Sequence, residues 1–494
     1  MTFSVQSLTQ KAWLFTLLFI LLPDTRTLAQ GKQPDAIQAR TILVLMVSDI
    51  HFEPFWDPAK VTRLASAQVA SWDAILAAPP SADRQQSFDA LQAKCHVRGV
   101  DTPLPLFKSS LTAIQSRAGN AGFAIVGGDL VSHGFSCKHS TLFPQASPQA
   151  YSAFVEKTLD YVLHELRKEL PGVPVYAALG NNDSGCGDYQ LDANSEFLRV
   201  TGSVITEGLP PAVREEASKE FASGGYYSIP LPAPVERARL LVLNDLFLSR
   251  KYSTCEGKPD ASAGLSQVAW LRRELERARE RNERVWVMGH IPPGIDPFST
   301  ILKMRNVCGG KLPDVFLASD DLDKTIGEFG DVVKLAVFAH THMDEIRLLR
   351  SSRSDAASNA QAGVPVKLVP SVSPINGNNP SFTVARIDTA TAVMMDYRVF
   401  VASNTSGVDA KWTPEYDFAE TFHVPDFSAA SLGKLIAEFS GDPGAQTEAS
   451  LSYIRNYYVR DLSDEIKAFW PQYSCALSNL TADSYKSCVC TAQH

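Results

Sequence analysis

Short apolar runs without polar alternation recur along the chain and stop abruptly. They cover residues 42–47, 123–126, 173–179, 226–229, 240–243, 285–288, 332–338, 366–369, 382–387 and 393–399. Unbroken runs of this length predict strands buried on both faces, as in a sheet sandwiched between other layers. Between them lie helical spacings. Tyr151, Phe154, Val155, Leu159, Val162, Leu163 and Leu166 predict a strongly amphipathic helix, and Val268, Leu271 and Leu275 predict another over 264–282. Strands interleaved with helices predict an α/β domain, placed at 41–402. Past about residue 403 the texture changes. Leu432, Leu435, Ile436 and Phe439, then residues 453–470, read as helical, so 403–494 is assigned to a small helical C-terminal subdomain.

The N-terminus adds a compartment. Lys11 precedes an apolar run at 12–22 that Pro23 ends, and Thr27-Leu28-Ala29 resembles a cleavage site, so residues 1–29 read as an export signal. That run is too short to span a bilayer comfortably, and no later stretch is long and apolar enough. The 8 cysteines fit an oxidising compartment. The expected location is therefore secreted, extracellular or periplasmic. Cys488-Val-Cys490 could be a metal pair or part of a disulfide region. A hydrophobic content of 45%, a charged content of 20% and a net charge of −8 are those of a globular chain. This balance argues against a nucleic-acid polymer as partner, though not against a local basic pocket for phosphate.

The ends of the apolar runs carry the chemistry. Five of them run directly into Asp, Asn or His: Asp49-x-His51, Gly128-Asp129, Gly180-Asn181, Gly289-His290 and His340-x-His342. Residues i and i+2 of an extended segment point the same way, so Asp49 with His51, and His340 with His342, can aim at one point. Strand ends are also where α/β sheets present ligands.

This order of blocks resembles the calcineurin-like metallophosphoesterases. Within them it is similar to the acid sphingomyelinase-like phosphodiesterases, through Gly289-His290-Ile291-Pro292-Pro293-Gly294, His340-Thr341-His342-Met343-Asp344-Glu345, His133 four residues after Asp129, and Pro370-Ser371-Val372-Ser373-Pro374 with Asn379-Pro380. The resemblance implies a sandwich of two mixed β-sheets flanked by helices, with two divalent metal ions at the strand ends. It implies Asp49, His51, Asp129 and His342 on one ion, and Asp129, Asn181, His290 and His340 on the other. Zinc suits this donor set, and manganese or iron fits it too. The implied reaction is hydrolysis of a small phosphoester.

One block departs from the family pattern. Where a Gly-Asn-His block is usual, this chain reads Gly180-Asn181-Asn182-Asp183. An amide donates a hydrogen bond but passes no proton at ordinary pH, so Asn182 can hold a phosphate without protonating a leaving group. His133 is the expected general acid; the other reading makes it a hydrogen-bond partner of a metal ligand. Cys137, shortly after His133, and Cys186, shortly after Asn182, are expected to bridge and pin these two loops together, with Cys255–Cys308 a second candidate pair. Residues 30–40 leave no room for a saposin-like lipid-presenting domain, so soluble phosphodiesters or nucleotide-type pyrophosphates are favoured as substrates. Polyphosphate, sphingomyelin (with Phe55 and Trp56 of the 52–105 insert as a lipid surface) and phosphate binding without turnover are the alternatives.

Overall fold

The unbroken apolar runs become strands whose two faces pack into different cores. In a computed structural model that describes residues 40–350, 363–459 and 464–492, Leu240, Val242, Trp286, Met288, Leu335 and Val337 face one large core. The intervening Leu241, Leu243, Val285, Val287 and Phe338 face a second, outer core. A period of two with apolar residues at both phases is what a strand covered on both sides requires.

The strands form two six-stranded sheets. The first has the order β12-β11-β10-β1-β2-β3. It contains β1 (Thr41–Val47), β2 (Phe123–Val126), β3 (Val175–Ala177), β10 (Ser381–Asp388), β11 (Met394–Ala402) and β12 (Trp412–Asp417). The second has the order β4-β5-β6-β7-β9-β8. Its strands are β4 (Tyr227–Pro230), β5 (Ala238–Val242), β6 (Arg284–Met288), β7 (Val333–Phe338), β8 (Glu345–Arg350) and β9 (Gly363–Leu368). Both sheets are mixed. β1, β2 and β3 pair in parallel in one, and β5, β6, β7 and β9 in the other, with antiparallel strands outside them. Parallel neighbours bring their C-terminal ends to one edge of a sheet. The two sheets meet through the large core, where Phe123 packs edge-on against Trp286 at 5.8 Å between ring centroids.

Helices cover the outer faces. α1 (Leu104–Ala118) lies on β1 and β10, and α3 (Pro148–Glu169) packs on α1. α2 (Phe135–Leu142) precedes α3. α4 (Ser262–Glu280) lies on β5 and β6, and α5 (Ala429–Ser440) on β8 and β9. α6 (Glu448–Tyr457), α7 (Trp470–Ala476) and α8 (Ala482–Ala492) complete the C-terminal helical region. The export-signal reading of 1–29 lies outside the described residues.

Several expectations are corrected. β8, Glu-Ile-Arg-Leu-Leu-Arg, carries no unbroken apolar run, yet its Glu345 and Arg347 are buried, paired with each other at 3.1 Å. β12 lies past residue 402 yet forms the edge of the first sheet. The disulfides are Cys95–Cys137, Cys186–Cys255, Cys308–Cys490 and Cys475–Cys488, so neither Cys137–Cys186 nor Cys255–Cys308 forms. Cys137 sits on α2, and the segment carrying Cys95 folds back onto that helix, with 5.7 Å between the two Cα atoms. Phe55 is no lipid surface either. It is fully buried, and Phe135 and Phe154 pack edge-on against its ring.

Candidate metal centre

The parallel strand ends of the two sheets place every sequence-predicted site residue in one cluster. Asp49 and His51 follow β1, Asp129 and His133 follow β2, and Asn181 and Asn182 follow β3. His290 follows β6, and His340 and His342 follow β7. The loops interlock: the Asp49 amide donates to Gly128 O at 3.0 Å, and the His51 amide to Asp129 O at 2.9 Å. Bonds also cross between the sheets. His290 Nδ1 bonds Gly127 O at 2.8 Å, and the His340 amide donates to Asp49 Oδ2 at 3.3 Å.

The backbone is strained where the donors sit. Asp49, His51, Asp129, His340 and His342 all have positive φ, between 46° and 72°. Non-glycine residues take this region rarely and at a cost, and such outliers gather at functional sites. The glycines beside them answer a packing need. A Cβ on Gly180 would lie 2.1 Å from Asp129 Oδ1, and one on Gly128 would lie 2.6 Å from the Gly180 nitrogen. The strand ends approach so closely that only a missing side chain fits.

Donor atoms crowd two points that share Asp129. His51 Nε2 lies 3.5 Å from Asp129 Oδ2, 3.8 Å from Asp49 Oδ1 and 3.1 Å from His342 Nε2. On the other side, His290 Nε2 lies 3.2 Å from both Asp129 Oδ2 and Asn181 Oδ1. Potential ligand atoms of Asp129, His290 and His340 all fall within 4.8 Å of one another. Two nitrogens facing at 3.1 Å, and several carboxylates without enough cations, make a poor internal hydrogen-bond network. Asp49 Oδ1 and His342 Nδ1 are buried with no hydrogen-bond partner. A borderline divalent cation at each point would satisfy these donors, so the residues fit a two-metal centre.

Outer contacts orient the donors. Nδ1 of His51 faces Val131 O at 2.9 Å, as Nδ1 of His290 faces Gly127 O, which leaves each Nε2 lone pair for the centre. Asn181 Nδ2 donates to Asp188 Oδ1 at 2.8 Å, aiming its Oδ1 inward. Asn182 donates to Asp129 twice, from its backbone nitrogen at 2.8 Å and from its amide at 2.9 Å. Asp183 accepts from the amides of Leu130, Val131 and Gly180, and Asp245 from those of His290 and Ile291.

Charge is correspondingly uneven. Burial pushes the Asp49 carboxyl up to about 7 even against His290. Burial also lowers histidines, pulling His51 down to about 4 and holding His340 and His342 neutral. For His290 the Asp129 carboxylate overcomes burial and lifts it to about 10. His133 lies over the His51 ring, 4.0 Å between centroids, and is partly open to solvent. Burial opposes its protonation, but Asp101, 3.0 Å from Nδ1, raises it to about 9.

Asp101, Asp188 and Asp245 were not singled out from sequence. Asp245 had a signal, since it follows the apolar run of β5 as the candidate ligands follow theirs. Asp101 had none: it lies in the 52–105 segment that offered no chemistry, and only folding brings it under His133 and Ser373.

Beside His340 opens a cleft of about 320 Å³, walled by Phe298, Phe316, Tyr457 and Tyr458, with Lys251 and Asn376 at polar positions.

Comparison with known proteins agrees with this geometry. The family model described as calcineurin-like phosphoesterase matches residues 42–344. The human acid sphingomyelinase-like phosphodiesterase 3b is 27% identical over 469 residues, covering 90% of this chain and 89% of that protein. The mouse cyclic GMP-AMP phosphodiesterase SMPDL3A is 24% identical over 406 residues, covering 79% and 82%. The sphingomyelinase phosphodiesterase C of Dictyostelium discoideum is 22% identical over 342 residues, covering 67% and 70%. A strained, donor-rich cluster at the strand ends of two mixed sheets, within the span of that family model, places the chain among the calcineurin-like phosphoesterases, metal-dependent phosphoester hydrolases, in the acid sphingomyelinase-like branch.

Proposed function

We infer that this chain hydrolyses phosphodiester or nucleotide-type phosphoanhydride bonds, with zinc as the favoured metal and manganese or iron fitting the same donors. The observation that carries the reading is the position of Asp129, whose Oδ2 lies 3.5 Å from His51 Nε2 and 3.2 Å from His290 Nε2, between two donor groups. The phosphodiesterase activities named for the relatives support it, cyclic GMP-AMP among their substrates.

Asp49, His51, Asp129 and His342 would hold one cation, and Asp129, Asn181, His290 and His340 the other. Two such cations supply Lewis acidity: they lower the pKa of water at the site and offset negative charge on the phosphoryl oxygens. The chain's own residues do the rest. Asn182 has two amide hydrogens; one meets Asp129, and the second is free to orient a phosphoryl oxygen. His133, kept protonated by Asp101 to about pH 9, holds the proton for the leaving-group oxygen. The aromatic walls of the cleft receive the leaving group. The four disulfides support an exported protein.

The test pairs metal analysis of purified protein with turnover of bis(4-nitrophenyl) phosphate and a panel of nucleotide esters and anhydrides. Turnover that a chelator abolishes and divalent ions restore is the expected result. Full metal loading without turnover of any ester would favour the binding reading. His133→Gln then separates its two roles. Losses of about 10² or more on alkyl esters, against little loss on nitrophenyl esters, are expected of a general acid. Equal losses on both would leave it a support for His51.

A further inference from the structure

Among the described residues, eight large apolar side chains stand exposed to water, and half of them fall in one stretch. Val100, Leu265, Val408 and Phe469 lie singly elsewhere, whereas Phe298, Leu302, Met304 and Leu312, 51%, 68%, 88% and 72% exposed, all belong to one excursion between residues 296 and 314. Isolated exposed apolar residues need no explanation, but four within one short excursion, of which Phe298 walls the cleft beside His340, do.

The excursion is held firmly at its base and middle. Ile295 pairs with Val315, and the Asp296 amide donates to Asp314 O at 2.9 Å. Cys308 is tied to Cys490 on α8, and Val307 packs with Ile295, Cys475, Ala476, Tyr485 and Val489 in a small core of its own. The apolar tips are therefore not the loose end of a mobile loop. The chain buries one face of the segment and leaves the other out.

Cations alternate with those tips. Lys303, Arg305 and Lys311 lie within the excursion, and Arg250 stands beside it. Lys303, Arg305 and Arg250 all converge on the single carboxylate of Asp314, at 2.9, 3.3 and 3.0 Å, which leaves an excess of positive charge. This lies on a chain whose net charge is −8. Apolar side chains interleaved with lysine and arginine match the boundary between acyl chains and anionic headgroups. Separate projecting side chains can each insert there, whereas a protein partner needs a continuous complementary face.

We propose that the 298–312 excursion is a docking surface for anionic lipid membranes. Phe298 also walls the cleft beside His340, so docking would set the cleft mouth at the level of the headgroups. The docking does not depend on which phosphoester the metal centre cleaves, and its test reads binding alone.

Flotation of the full-length protein with phosphatidylcholine vesicles, with and without phosphatidylserine, tests it. Binding to the phosphatidylserine vesicles that weakens with salt is expected. Leu302→Ser/Met304→Ser/Leu312→Ser is expected to lower that binding about 30-fold or more. The thermal midpoint and the rate on soluble bis(4-nitrophenyl) phosphate are expected to stay unchanged. Lys311→Gln alone is expected to weaken binding about fivefold, one cation's share at a charged surface. Absence of wild-type binding, or equal binding by the triple variant, overturns the proposal. So does equal, salt-independent binding to vesicles lacking phosphatidylserine. Self-association of the wild type that the triple variant loses would overturn it too, by making this face an interface between copies.

Discussion

Two buried clusters of charged and polar side chains lie within a few residues of each other along the chain, and they are built on opposite plans. Around Asp344, cation, carboxylate and hydroxyls are matched to one another. Lys367 meets Asp344 Oδ1 and Leu368 O, Tyr416 donates to Asp344 Oδ2 at 2.6 Å, and the Tyr397 hydroxyl meets that of Tyr416 at 2.9 Å. These residues sit on β9, β11 and β12 and beside β8, so the network ties the edge of one sheet to the edge of the other. Around Asp129 the plan is reversed. Donors face donors, Asp49 Oδ1 and His342 Nδ1 have no hydrogen-bond partner, and the backbone is held at positive φ. The first arrangement is complete without a ligand; the second becomes complete only with cations. Burial and charge are common to both, so neither marks a site. Unmet valence does.

Asp129→Asn is the sharpest way to break the contrast. Removing the shared carboxylate is expected to lower kcat/KM on bis(4-nitrophenyl) phosphate about 10³-fold or more and to reduce bound metal. Steady-state kinetics with elemental analysis checks both. A variant that keeps its full metal complement and rate would show that the clusters do not differ in kind.

Lys367→Met tests the matched cluster. It leaves Asp344 buried without its cation and is expected to cost about 3–5 kcal/mol in urea unfolding, while the rate per folded molecule changes little. A large loss of rate with normal stability would mean that this network, too, serves catalysis.

Asp101→Asn probes the boundary between the two plans, because Asp101 is fully matched yet supports His133. Without that carboxylate, His133 is expected to fall from about 9 toward its ordinary 6.5. A general acid works only below its pKa, so for esters with poor leaving groups the alkaline limb of kcat/KM is expected to move to lower pH by about two units. The pH–rate profile of the variant reads this directly.

The smallest effect is a proton count. In metal-stripped protein the Asp129 carboxylate, outweighing burial, keeps His290 protonated up to about pH 10, and a ligating imidazole must be neutral. Metal binding at pH 8 is therefore expected to release about one proton from this group, and apparent affinity to rise with pH. Calorimetry in buffers of different ionisation enthalpy measures the release.

The chain's own order of residues determined the strands and the candidate ligands together. Apolar runs with both phases filled can only be doubly covered strands, and Asp49, His51, Asp129, Asn181, His290, His340 and His342 each follow such a run directly. Local pattern sufficed because each strand end delivers its residues to the same edge. Folding alone decided what no local pattern encodes. Asp101 reaches His133 from an insert, Cys95 rather than Cys186 meets Cys137, and the polar-looking β8 is buried because Arg347 reaches the carbonyl of Pro293 and Glu345 accepts from the Tyr457 hydroxyl. In each case the deciding contact joins residues whose neighbours in the chain carry no trace of it. Their pairing depends on how the layers pack in space.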